Sequence, residues 1–118
     1  MPRYDKTNKI NVAMDKRTTL TSEQALELVR RYKQAIAPQF GDDVKVYMYG
    51  SYSKGTACPD SDIDVAVVVP KVEGDWLELS ISLNLAVDGI SLLIEPVLIE
   101  ECNPSPLYED IMRTGIAA

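Results

Sequence analysis

No histidine occurs in these 118 residues. That absence removes zinc sites that use histidine, imidazole general bases and every triad that runs through a histidine. Cysteine is scarce: Cys58 and Cys102 stand far apart, without metal-ligand spacing. They point to free thiols in a reducing compartment, not to a disulfide framework. Basic charge is short too, with 12 Lys and Arg against 18 Asp and Glu, a net charge of −6. A nonspecific nucleic-acid binder needs a basic face, so that class is disfavoured. No apolar run is long enough to span a membrane, and the first residues lack the apolar stretch of a signal peptide. The expected location is cytoplasmic. The length suits one domain with an adequate core.

Residues 1–21 are polar and mixed in charge, without sustained periodicity. They read as a flexible N-terminal segment, or one that pairs with a neighbour, ahead of a folded domain over 22–118. Thr21 or Ser22 suits an N-cap for a helix over 23–37, with Ala25, Leu28, Val29, Tyr32 and Ile36 on one face. Pro38 and Gly41-Asp42-Asp43 are expected to end it. Residues 44–49 alternate as a strand, and 63–69 form a β-branched strand closed by Pro70. Residues 74–88 suit a helix by length, although the alternation around Leu77-Glu78-Leu79-Ser80-Ile81 leaves a strand open. A third strand is expected over 91–99. Pro96 within it cannot donate a ladder hydrogen bond, which places that strand at an edge. A last helix over 105–113, capped by Asn103 or Ser105, ends at Gly115 and is followed by a short apolar stretch expected only to pack.

The informative stretch runs from Gly50 to Val65. Gly50-Ser51 follows the first strand, and Asp62-Ile63-Asp64 opens the second about ten residues later. Side chains two apart on a strand share a face. Asp62 and Asp64 therefore face one way while Ile63, Val65 and Val67 face the other. Carboxylates ~6–7 Å apart along a strand repel unless a cation lies between them. Mg²⁺ suits such hard oxygen donors and keeps positions for water and substrate phosphates. Gly50 permits a sharp turn and a close approach. Ser51 can cap a short helix and hydrogen-bond a phosphate oxygen. Lys54 one turn on reads either as positive charge for a triphosphate or as a solvated surface lysine. Tyr49 and Tyr52 flank the turn and are placed to touch a base, although core or surface packing is the commoner role of a tyrosine.

Tyr49-Gly50-Ser51 and Asp62-Ile63-Asp64-Val65 resemble the signature of the DNA polymerase β-type nucleotidyltransferase superfamily. Lys54-Gly55-Thr56-Ala57, Pro59-Asp60-Ser61 and the segment 103–115 are similar to its small, single-domain minimal nucleotidyltransferase (MNT) branch. The resemblance covers about 22–118. It implies an α/β nucleotidyltransferase fold: a small mixed three-stranded sheet, order 1-2-3, flanked by helices that cover the face opposite the carboxylates. It also implies a third carboxylate on the next strand. Glu95 is the one acid inside the run 90–99, where an unpaired charge is costly. Asp88 is the rival, next to Gly89 at an apparent helix–strand turn. Family members commonly carry Asp at this point, so Glu95 is a departure.

The function so implied is Mg²⁺-dependent transfer of a nucleoside monophosphate, AMP from ATP, to a hydroxyl. Asp62, Asp64 and Glu95 would serve as catalytic and metal-binding residues. Gly50, Ser51 and Lys54 would serve the nucleotide. No acceptor-binding domain follows the motif, so a partner is expected, either a small helical HEPN-type protein as in toxin–antitoxin pairs or a second copy. The alternatives are a non-catalytic masking antitoxin and a small-molecule transferase of the aminoglycoside type.

Overall fold

The computed structural model describes residues 19–118. The expectation for residues 1–21 lies, up to Thr18, outside them. Helix α1 (Ser22–Phe40) opens with a capping box: the Thr21 hydroxyl accepts the Gln24 N–H at 3.0 Å, and the Gln24 side chain accepts the Thr21 N–H at 2.9 Å. Ala25, Val29, Tyr32 and Ile36 recur at helical spacing and are all buried. Pro38 does not end this helix, contrary to expectation; it sits in the last turn. Its fixed φ is helical, and the N–H it lacks is missed at an exposed position. Phe40, packed against the core, holds that turn down. Gly41, at φ +97°, closes it with an N–H to the Ala37 carbonyl at 2.7 Å.

The chain continues through β1 (Lys45–Tyr49), α2 (Ser51–Lys54), β2 (Ile63–Val69), α3 (Trp76–Val87), β3 (Ile94–Glu100), α4 (Pro106–Thr114) and β4 (Ile116–Ala117). The segment 74–88 resolves as helix, capped by Asp75, whose carboxylate accepts the N–H groups of Leu77 and Glu78. β3 starts three residues later than expected. The Ser91 hydroxyl accepts the Leu93 N–H at 3.2 Å, and that turn occupies the strand's intended beginning.

The sheet is mixed, as expected, but four-stranded, in the order β3-β2-β1-β4. The expected 1-2-3 order holds for the first three strands, and the fourth is the correction. The apolar end does more than pack. β1 has a free edge, and Ile116–Ala117 pairs antiparallel with Tyr47 and Met48. The Ala118 N–H donates to Val46 at 2.9 Å, and Lys33 donates to the Ala118 carbonyl at 3.0 Å.

β1 pairs antiparallel and β3 parallel with β2. The Ile63 N–H bonds the Leu93 carbonyl and the Glu101 N–H bonds the Val69 carbonyl, both at 2.8 Å. Odd-numbered residues of β3 therefore turn their backbone groups towards β2, and even-numbered ones towards the open edge. Pro96 is even-numbered, so its missing donor interrupts no ladder bond.

One face of the sheet carries Val44, Val46, Met48, Ile63, Val65, Val67, Ile94 and Leu98 into a core closed by α1 and α3. Within it the Tyr32 hydroxyl donates to the Leu83 carbonyl at 2.7 Å and ties α1 to α3. Burial raises the pKa of this phenol. Tyr32→Phe leaves a buried carbonyl without its partner and should cost about 1–2 kcal/mol. Urea denaturation checks this as a lower midpoint at unchanged slope.

The opposite face is not left bare. Ile111 and Tyr108 of α4 pack there against Ala66, Val68, Val97, Ile99, Tyr47 and Tyr49. Helices thus cover both faces, which corrects the expectation that they cover one. The polar end of the face beneath α4 holds the acids.

Candidate functional site

Three residues line up across the sheet. Tyr49 is the pairing partner of Asp64, and Asp64 is in turn the partner of Glu95. Cross-strand partners share a face, with strands ~4.8 Å apart. Asp62 lies two residues before Asp64, immediately ahead of β2. The opposite phase of β2, Ile63, Val65 and Val67, is wholly buried in the core. Hydrophobic alternation therefore fixes which way the acids face.

The electrostatics agree with this placement. Asp64 is half-buried, and its pKa is raised, first by desolvation, then by the negative charges of Glu95 and Asp62. The Tyr49 phenol is pushed up by burial and then by Asp64 and Glu95. Glu95 and Asp62 are exposed. Asp88 sits at the C-terminal cap of α3, outside the strand. Of the two rivals, the one in register with Asp64 is Glu95.

The turn before α2 supplies the other wall. Gly50 has φ +74° and ψ −146°, and a Cβ placed there would collide with the Asp64 carboxylate oxygen, with the carboxyl carbon at 3.2 Å. The missing side chain is what lets the Gly-Ser backbone lie directly on Asp64. Gly50, not Ser51, takes the N-cap position of α2, a correction to the expected cap. The turn needs a positive φ, which a serine resists, so Ser51 moves into the first helical position. Ser53 donates its hydroxyl to the Gly50 carbonyl at 3.0 Å, and Ser22 of α1 donates to the Tyr52 carbonyl at 3.0 Å.

Tyr52 is buried in the main core, so its expected access to a base is withdrawn. Lys54 is exposed, with its ammonium 3.5 Å from an Asp110 carboxylate oxygen on α4. Arg113 pairs with the same Asp110. Between the two motifs, the Cys58 N–H donates to the Ser61 hydroxyl and the Ser61 N–H to the Cys58 carbonyl, each at 2.9 Å, a closed turn that delivers the chain to Asp62. The Ser61 hydroxyl also lowers the pKa of the exposed Cys58 thiol. Sequence reading missed Asp110 and the alignment of Tyr49 with the acids. The second had a signal: with Val44, Val46 and Met48 inward, Tyr49 must share the other face.

Asp62, Asp64 and Glu95 carry the oxygen-donor chemistry that a hard divalent cation takes. All three groups offer carboxylate oxygens, and the pKa of Asp64 is raised by desolvation first and by the charges of Glu95 and Asp62 after it. Among the described residues no three ligating side chains converge closely enough to enclose an ion by themselves. No helix among the described residues is long and apolar enough to cross a membrane.

A mixed sheet with an Asp-x-Asp pair at the head of an inner strand, fronted by a glycine turn, is the architecture of a nucleotide-handling transferase. The chain belongs to the nucleotidyltransferase domain family, whose model matches residues 29–107, about two-thirds of its length. It is 34% identical over 58 residues to aminoglycoside nucleotidyltransferase (4′) of Staphylococcus aureus and, equally, to that of a Bacillus species. That match covers 48% of this chain and 23% of each relative, so the chain spans only about a quarter of those proteins. Among solved structures, a provisionally assigned nucleotidyltransferase from Sulfolobus solfataricus superposes with a TM-score of 0.59 at 18% identity, over 81% of this chain and 80% of that one. A chain of the MntA–HpeT toxin–antitoxin complex aligns more loosely, with a TM-score of 0.46 at 21% identity, over 84% and 72%.

Proposed function

We propose that this chain transfers a nucleoside monophosphate, AMP from ATP, to a hydroxyl acceptor and releases pyrophosphate. The observation that carries the reading is the register that sets Glu95 beside Asp64 on adjacent strands, with Asp62 on the same face. Asp62, Asp64 and Glu95 would hold Mg²⁺. When bound, the ion would neutralise phosphate charge and lower the pKa of the acceptor hydroxyl. The acceptor oxygen bonds to the α-phosphorus as the bond to the pyrophosphate oxygen breaks. With no histidine in the sequence, the hydroxyl proton passes to a carboxylate, and this reading assigns it to Glu95, which like Asp62 is exposed. Ser51 and the backbone after Gly50 orient the β- and γ-phosphates. Lys54 adds positive charge only by leaving Asp110.

The acceptor is a hydroxyl on a partner protein, a helical HEPN-type protein or a second copy of the chain. The setting that follows is a toxin–antitoxin pair in which this chain modifies the toxin. If no transfer occurs, the same complex acts by masking. The likeness to the aminoglycoside enzymes favours a second reading, a small-molecule hydroxyl as acceptor.

The test is incubation with α-labelled ATP and Mg²⁺, with a co-expressed neighbouring gene product or with an aminoglycoside. Label should appear on the protein partner and be lost with Glu95→Gln, which preserves size and removes charge. Nucleotide binding should survive in that variant. Label on the drug alone would select the second reading. A stable complex without label under any nucleotide would leave masking.

A further inference from the structure

Helix α3 is apolar on two opposite sides. Leu83 and Val87 enter the core, with Leu79 and Ala86 beside them. Leu77, Ile81 and Leu85, spaced i, i+4, i+8, form a second stripe on the outer side, with exposures of 66%, 50% and 66%. A helix that is apolar all round is normally buried all round, and an aligned stripe differs from scattered surface leucines.

Along the chain between Lys71 and Arg113, the segment that carries the stripe has charge of one sign. Residues 72–112 contain nine Asp and Glu and no Lys or Arg. Asp75 and Glu78 flank the stripe on the helix itself, and Glu73 and Asp88 stand at its two ends, all exposed. Among the described residues, ion pairs form at Glu27, Glu101 and Asp110 but at none of these four. A second copy laid stripe to stripe would set acid against acid. A partner surface of opposite charge meets both features at once.

We propose that the outer face of α3 docks a partner protein through an amphipathic helix whose apolar stripe is bordered by Lys and Arg. The apolar side chains supply the contact, and the acidic border sets partner choice and raises the association rate. The face belongs to the helix that covers the side of the sheet opposite Asp62, Asp64 and Glu95. A partner held there leaves the candidate site open, and the proposal stands whether or not the chain transfers nucleotides.

The probe is a labelled synthetic 18-residue helix with leucines at helical spacing and lysines elsewhere, titrated into the full chain. Its glutamate counterpart is the control. The lysine peptide should bind and the glutamate peptide should not. Ile81→Asn with Leu85→Ser keeps every charge and should weaken binding at least tenfold. Glu78→Gln with Asp88→Asn should weaken it and flatten its salt dependence. Asp62→Asn, in the candidate site, should leave it unchanged. Equal binding by the Ile81→Asn/Leu85→Ser protein, with its fold intact by circular dichroism, overturns the proposal as charge attraction alone. A dimer in sedimentation that Ile81→Asn dissolves would make a second copy the occupant and overturn it too. Residues 1–18 hold five basic and two acidic side chains. If the peptide binds only after those five are changed to glutamine, the chain covers its own face and the partner reading fails.

Discussion

Asp64→Asn should abolish nucleotidyl transfer, by about 10³-fold or more, and should also raise the melting temperature of the metal-free protein at neutral pH. The two effects share a cause. Asp64 is partly desolvated and faces Glu95 and Asp62, so its folded-state pKa lies above the ordinary 3.8. The folded state then holds the proton more tightly than the unfolded one. Linkage makes stability fall as pH rises from the ordinary carboxylate value through the raised one. Below that window Asp64 is protonated in both states, and the asparagine variant gains nothing. Above it the wild type carries a repelled charge that the variant lacks. A higher melting temperature for the variant is expected at neutral pH, and no difference below the window. Mg²⁺ should raise the wild-type melting temperature by mass action and leave the variant's nearly unmoved. A variant that still transfers, or one that melts lower at neutral pH, would remove Asp64 from the proposed role.

How far such a site is legible in sequence depends on which interactions are local. Asp62-Ile63-Asp64 declares its facing because Ile63, Val65 and Val67 must enter a core, and alternation follows from the pleat alone. The Thr21 capping box and the Ser105 cap of α4 are equally local. Glu95 was harder. Its run of apolar neighbours shows that it is unusual, but only the parallel register sets it beside Asp64 and not beside Asp62. Lys54 and Asp110 could not be matched at all, being 56 residues apart with a helix-packing geometry between them. β4 went unread for a similar reason. Two residues carry too little pattern to declare a strand, and pairing is dictated by the free edge of β1, which is a property of the assembled sheet. Pro38 is tolerated because it removes a single N–H bond, at an exposed position where the Gln34 carbonyl can turn to water instead.

Gly50→Ala should be the most damaging small substitution outside the acids. Two penalties coincide. The backbone there, φ +74° with ψ −146°, is close to a region that only glycine occupies, and such strain costs about 1–3 kcal/mol. The added methyl would also meet the Asp64 carboxylate, so either the turn or the acid must move. A displacement near 1 Å at a reacting centre can cost ~10²-fold in rate, and a loss of at least that size is expected. Gly55 supplies the contrast. It too has positive φ, +77°, but a Cβ there meets nothing within 4 Å. Gly55→Ala should therefore show backbone strain alone, ~1–2 kcal/mol, and keep most activity. The steric part can be isolated by a double-mutant cycle. In an Asp64→Ala background the carboxylate is gone, and Gly50→Ala should cost less stability than in the wild type, by about 1 kcal/mol. If the two changes are additive instead, the methyl does not press on Asp64. The close approach of the Gly-Ser turn to that carboxylate would then have no part in shaping the site.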